Sequence, residues 1–127
     1  MLEWKDSYSV GVASLDKQHK DMINMINSLP TCKDFGETIK FLKTYVEEHF
    51  FDEEHLMSAG HYVGLQAHIE GHAEFIAWLN DLQIKIAAST HNVQDLITET
   101  HTYLSQWLIS HILETDRLYI GKIPKFD

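Results

Sequence analysis

The sequence predicts an all-α protein: an up-down-up-down antiparallel four-helix bundle with an extended N-terminal arm. Two features carry that prediction. After residue 15, four separate stretches repeat apolar side chains at steps of three and four. The connections between them are about four or five residues long, which makes consecutive helices neighbours running in opposite directions. No strand-like alternation competes after residue 15. The 127 residues suit a single domain, 1–127, and 44% hydrophobic residues suffice for a core.

Residues 1–15 mix aromatics, Gly11 and small residues without a helical period, and are expected to form the arm. The first helix is expected at about 16–29, where His19, Met22, Ile23 and Ile26 share a face and Pro30 stops it. Asp34 with Glu37 makes a capping box for a second helix at about 34–57, whose stripe is Phe35, Ile39, Leu42, Val46, His49, Phe50, Glu53 and Met57. Ser58-Ala59-Gly60 breaks it. The third helix, about 62–87, carries Leu65, His68, Ile69, His72, Phe75, Ile76, Leu79, Leu82 and Ile86. Asn92 caps a fourth at about 93–116, with Leu96, Ile97, Thr100, Leu104, Trp107, Leu108, His111 and Ile112 on one face. Residues 117–127 are left as a tail.

Ten Lys and Arg against nineteen Asp and Glu give a formal charge of -9. A surface for nucleic acid or anionic membrane needs concentrated positive charge, so neither is expected as a partner. The longest apolar run, Phe75 to Leu79, falls far short of the roughly 20 residues a membrane-spanning helix needs. The charged N-terminus does not resemble a signal peptide, and the lone Cys32 cannot form an internal disulfide. A cytoplasmic monomer is expected.

Nine histidines are more than solubility calls for. In the up-down topology the first helix begins where the second ends, the third begins and the fourth ends. His19, His49, Glu53, His68, His72, His111 and Asp116 then all fall within about 15 Å of that shared end. His49/Glu53 and His68/His72 are four apart, one above the other on a helix face. His111 and Asp116 are five apart, which requires the last turn to tighten or fray. His55, His61, His91 and His101 lie off the stripe and are read as surface residues, and Glu47, Glu48, Asp52 and Glu54 as a solvated helix face.

Two carboxylates buried among neutral imidazoles need compensating positive charge, and metal supplies it. Seven donors exceed one four-coordinate zinc ion and suit two metals bridged by carboxylates. Imidazole and carboxylate without thiolate favour iron or manganese. A zinc protease fails because Ile69 occupies the place of the required glutamate. A ferritin-like oxidase needs Glu-x-x-His motifs, which the chain does not contain.

Asp16-Lys17-Gln18-His19-Lys20, His49-Phe50-Phe51-Asp52-Glu53-Glu54, His68-x3-His72-x2-Phe75 and Trp107-Leu108-x2-His111-Ile112-x3-Asp116 together resemble hemerythrin in its single-domain bacterial form. The resemblance spans nearly the whole chain, arm included. It implies a non-haem di-iron centre with a bridging oxo or hydroxo group that binds dioxygen reversibly. On that pattern His68, His72 and His111 hold one iron, His19 and His49 the other, and Glu53 and Asp116 bridge them. The two-histidine iron keeps the open position for dioxygen. Met22, Phe50, Trp107, Leu108 and Ile112 match the family's pocket positions and lie one, three or four residues from a ligand. Met22 stands where an aliphatic residue is expected. The same centre used by a sensor module, or by an enzyme acting on peroxide or nitric oxide, is the alternative.

Overall fold

Helix α1 starts earlier in the chain than its apolar stripe does. In the computed structural model, which describes residues 2–88 and 92–120, α1 spans Ala13–Ser28, α2 Phe35–Ala59, α3 Leu65–Ala88 and α4 Val93–Glu114. Short 3-10 turns cover Asp6–Tyr8, Leu29–Thr31 and Asp116–Tyr119. The four helices pack as a bundle, with α2 against both α1 and α3, and α1 also against α4. His91 and the tail from residue 121 onward lie outside the described residues.

The three extra residues at the start of α1 come from the arm folding back. Gly11, at φ 81°, turns the chain. The Asp16 carboxylate then accepts from Ser9 Oγ at 2.5 Å and from the Val10 amide at 2.9 Å. Asp16 thus ties the arm down from inside the helix, so the arm is neither wholly extended nor independent of the bundle.

Asp34 caps α2 as its sequence position predicts, accepting from the Glu37 amide at 3.1 Å. Asn92 caps α4 in the same way through the Asp95 amide at 3.1 Å. The end of α2 differs in detail from the expected glycine break. Tyr62 N–H reaches the Met57 carbonyl and His61 N–H the Ser58 carbonyl, the bonding of a Schellman motif. The left-handed residue is His61, at φ 53°, and not Gly60. This turn delays α3 to Leu65.

The fourth helix ends at Glu114, ahead of its expected end, and Asp116 opens a 3-10 turn. Ile23, Leu29, Ile39, Leu79 and Leu104 belong to the main core, while a smaller cluster of Val10, Val12, Leu15, Leu56, Met57 and Tyr119 closes one end. No helix of the described residues is long and apolar enough to cross a membrane.

Candidate metal centre

Between these two apolar clusters lies a buried polar layer. His19, His49, Glu53, His68, His72, His111 and Asp116 all come together in it, and none is more than 8% exposed. Each helix delivers its share by register. His19 lies in the second turn of α1, His49 and Glu53 near the end of α2, His68 and His72 near the start of α3, and His111 in the last turn of α4. Asp116 reaches the layer because the chain leaves α-helical geometry after Glu114, which removes the awkwardness of its five-residue spacing from His111.

The two carboxylates divide their oxygens between two sets of imidazoles. Glu53 Oε1 faces the Nε2 atoms of His68 at 2.8 Å, His72 at 3.0 Å and His111 at 4.0 Å. Glu53 Oε2 faces those of His19 at 3.9 Å and His49 at 3.7 Å. Asp116 repeats the division: Oδ1 lies 2.8 Å from His68 and 2.9 Å from His111, and Oδ2 lies 3.2 Å from His19. Donor atoms of Glu53, His68, His72 and His111 sit within 4.8 Å of one another, and so do those of His19, His49 and Glu53.

A second layer of contacts aims the rings. Gln18 Oε1 lies 2.6 Å from His49 Nδ1, and Gln18 Nε2 donates to Asp52 at 2.8 Å. Glu54 Oε2 lies 2.6 Å from His72 Nδ1. A partner on Nδ1 fixes the ring and leaves Nε2 free for a cation, the usual arrangement around ligating histidines. Tyr119 donates to Glu53 Oε2 at 2.8 Å.

Charge compensation dominates the electrostatics. Burial favours a neutral Glu53, but the surrounding imidazoles of His111, His68 and His72 outweigh it and hold the carboxyl well below its ordinary value. Asp116 is likewise lowered: burial and the Glu53 charge oppose ionisation, and His111 and His19 overcome them. Burial also opposes a charged His68, yet Asp116 and Glu53 lift it to about 9, and the same pair lifts His111 to about 10 against its burial. His49 goes the other way, pushed down to about 3 by burial and by the neighbouring His19.

The donor set fits metal cations. His19, His49, His72 and His111 each turn a buried Nε2 into the layer without an aligned hydrogen-bond partner, and both Asp116 oxygens are in the same condition. Buried polar atoms left so are costly, and cations placed between them would satisfy them together.

Below the layer the walls become apolar. Met22, Val46, Phe75 and Leu108 line a small cavity with Ile26, Leu42, Leu104 and Trp107. Met22 and Phe75 follow His19 and His72 by three residues, and Val46 and Leu108 precede His49 and His111 by three. Every helix therefore contributes the wall residue one turn below its own histidine. Phe50 stacks on His72 with ring centroids 3.7 Å apart, and Trp107 on His111 at 4.4 Å. Of the five expected pocket residues, Met22, Trp107 and Leu108 line that cavity, whereas Phe50 and Ile112 are buried but do not.

Sequence reasoning missed Tyr119, Gln18, Glu54 and the wall residues Val46 and Phe75. The sequence pattern puts Tyr119 in a tail, whereas it is fully buried, because residues three apart eclipse in a 3-10 turn and Asp116 carries it inward. Glu54 and Asp52 do not form a merely solvated face, since each makes a directed bond into the site or its support. Among the off-stripe histidines, His55 and His61 are exposed and His101 is half-buried.

A four-helix bundle holding five imidazoles and two carboxylates in one closed layer defines a histidine–carboxylate metal-binding protein. The Hemerythrin HHE cation binding domain matches residues 10–123, and the chain belongs to the hemerythrin family. It is 30% identical to a bacteriohemerythrin of Stenotrophomonas maltophilia, over 97% of this chain and 82% of that one. It is also 30% identical to a myohemerythrin of Theromyzon tessulatum, over 95% and 92% of the two chains. A crystal structure of wild-type hemerythrin matches with a TM-score of 0.85 at 29% identity, covering 96% of this chain and 97% of that one.

Proposed function

We propose that this chain binds dioxygen reversibly at a non-haem di-iron centre, chiefly as a carrier or store, with enzymatic use of the centre secondary. The observation that carries the reading is the division of both carboxylates between two imidazole sets. His68, His72 and His111 would hold one iron, His19 and His49 the other, with Glu53 and Asp116 shared. When bound, the iron pair would supply the electrons that a reversibly held dioxygen takes up.

The chain's own residues set the conditions. The set with two imidazoles offers fewer protein donors than the set with three, so it is the side with room for a small ligand. Met22, Val46, Phe75 and Leu108 bring no proton donor to the space beneath and keep water from it. An apolar shell of this kind governs solvent access and redox behaviour. Gln18 and Glu54 hold His49 and His72 in fixed orientations, so little reorganisation accompanies binding.

The test is anaerobic reconstitution with ferrous iron, a count of metal per chain, and absorption spectra through several cycles of oxygen addition and removal. Two irons and a colour that appears and vanishes with oxygen are expected. One irreversible oxidation would replace the carrier reading with an enzymatic one, and failure to bind two metals would overturn the centre.

A further inference from the structure

We propose that Trp107, Tyr103 and Trp78 form a relay for single electrons between the metal centre and the face where α3 and α4 meet. The inference rests on the di-iron reading of the site. Its basis is a continuous line of stacked rings. Trp107 lies nearly parallel to His111 at 4.4 Å and 12°. Phe75 stacks on Trp107 at 4.0 Å and 22°, and on Tyr103 at 6.5 Å and 6°. Tyr103 stacks on Trp78 at 3.9 Å and 17°. Electron tunnelling falls exponentially with distance, so indole and phenol rings that can themselves be oxidised turn one long passage into short ones. Phe75 is not readily oxidised and acts as the packed spacer.

The line has a defined exit. Tyr103 borders two clefts, one reaching Trp107 and His111 and the other lined by Trp78, Asp81 and Glu99. Trp78, Tyr103 and Trp107 are only half-buried, whereas Phe75 between them is buried. Core packing alone does not require two oxidisable rings at the outer end of the stack. Glu74, on the first cleft, and Asp81 and Glu99, beside Lys85 on the second, give that exit a net negative charge. Such charge eases removal of an electron from the rings and draws cationic redox partners. The other ring stacked on a metal-site histidine, Phe50 on His72, is buried and not readily oxidised, and Tyr119, tilted at 38° against His68, leads only to the edge-on ring of Tyr62.

The relay would serve when a hydroperoxide reaches the centre. Hydrogen peroxide takes two electrons and two protons and leaves as two waters. One electron comes from tryptophan and one from Tyr103, and the indole N–H and phenol O–H protons balance those consumed. A cationic one-electron donor of the kind this charge draws then refills each ring at the cleft, and solvent returns the proton. The oxidising equivalents leave the centre without damaging its histidines.

Flash photolysis tests the relay. A ruthenium polypyridyl cation, oxidised by a flash and a sacrificial quencher, removes one electron from the protein, and transient absorption follows the tryptophan and tyrosine radicals. In protein loaded with ferrous iron, an electron from the centre should refill them, shortening their lifetime by at least an order of magnitude relative to metal-free protein. Trp78→Phe combined with Tyr103→Phe, and separately Trp107→Phe, keep the rings stacked and should abolish that acceleration with the iron count unchanged. Equal lifetimes in loaded and metal-free wild-type protein, with two irons counted, overturn the relay, as does acceleration retained in the phenylalanine variants. A count of no iron overturns the metal reading instead. The metal-free arm then judges the exit alone, and a radical yield unchanged in the Trp78→Phe/Tyr103→Phe variant overturns it.

Discussion

Cation binding at this centre should depend steeply on pH, and unequally for its two halves. Glu53 and Asp116 stay ionised far below neutrality, so the layer carries two negative charges. Where no cation balances them, protons on His68 and His111 do, since these rings hold theirs to about 9 and about 10. A metal entering the His68/His72/His111 position must evict both. Its apparent affinity should therefore rise about tenfold per pH unit for each proton, roughly a hundredfold from pH 7 to 8, and level off once both rings have titrated. His49, pushed down to about 3, gives up no proton at neutrality and adds nothing to the slope at its own position. The assay is cobalt(II) titration against a chelator of known pH dependence at about pH 7, 8 and 9, with proton release followed in weakly buffered solution. A flat affinity over that range, or binding without proton release, would refute the charge argument.

The same shifts fix the stability of the metal-free fold. His68 and His111 are raised in the folded state, so their contribution is complete below their unfolded value and is lost as pH rises through about 9 and about 10. Glu53 and Asp116 are depressed, so theirs is present above the unfolded value and lost on acidification. His49 adds to the acid loss, because the unfolded chain takes up a proton below about 6.5 that the folded chain refuses. Urea midpoints should thus peak near pH 6.5 and fall on either side of it, on the alkaline side until about pH 10, and the alkaline fall should disappear when metal is bound.

Four substitution experiments probe the site directly. Glu53→Ala and His72→Ala should each lose stoichiometric iron while circular dichroism stays helical, and full occupancy in both would remove them from the ligand set. Leu108→Ala should keep its iron, cost about 2–5 kcal/mol as a core truncation and speed autoxidation, with an unchanged rate excluding Leu108 from the wall. Gln18→Ala frees the His49 ring and should weaken metal binding about 10- to 100-fold, read by the same chelator competition. Tyr119→Phe removes the donor to Glu53 Oε2 and should cost about 1 kcal/mol in denaturant unfolding; no loss would mean that the bond contributes nothing.

The helix count and the convergence of seven residues were legible because both follow from registers of 3.6 residues and from short loops. Where the chain leaves that register, the reading weakens. Asp116 looked poorly placed after His111 because its spacing was judged on an α-helix, and the 3-10 turn that carries it also brings Tyr119 inward. The end of α2 was read from Gly60, but the left-handed position fell one residue later, on His61. Gln18 and Glu54 escaped notice for a different reason. Periodicity tells which face a residue is on, and both lie at the edge of the buried stripe, where a long side chain reaches the neighbouring helix's histidine. Only the geometry of two helices together reveals such a contact.

The polar layer is closed from two directions by unrelated parts of the chain, and this decides how metal and fold are coupled. Below it, the cavity wall and main core are made by the four helices themselves, with Ile39, Leu79 and Leu104 almost wholly buried. Above it, the cap comes from the chain ends: Val10 and Val12 of the arm, held by Asp16, pack with Leu56, Met57 and the Tyr119 ring. The main core does not depend on the layer, so the bundle should fold without metal. The cap is joined to it, because Tyr119 bonds Glu53 and Asp116 begins the turn that holds Tyr119. Losing the carboxylate geometry should loosen the chain ends before the helices. Amide exchange in Glu53→Ala should therefore quicken around residues 10–12 and 116–119 while the middle of α2 stays protected. Uniform protection across these segments would mean that the cap stands on its own packing.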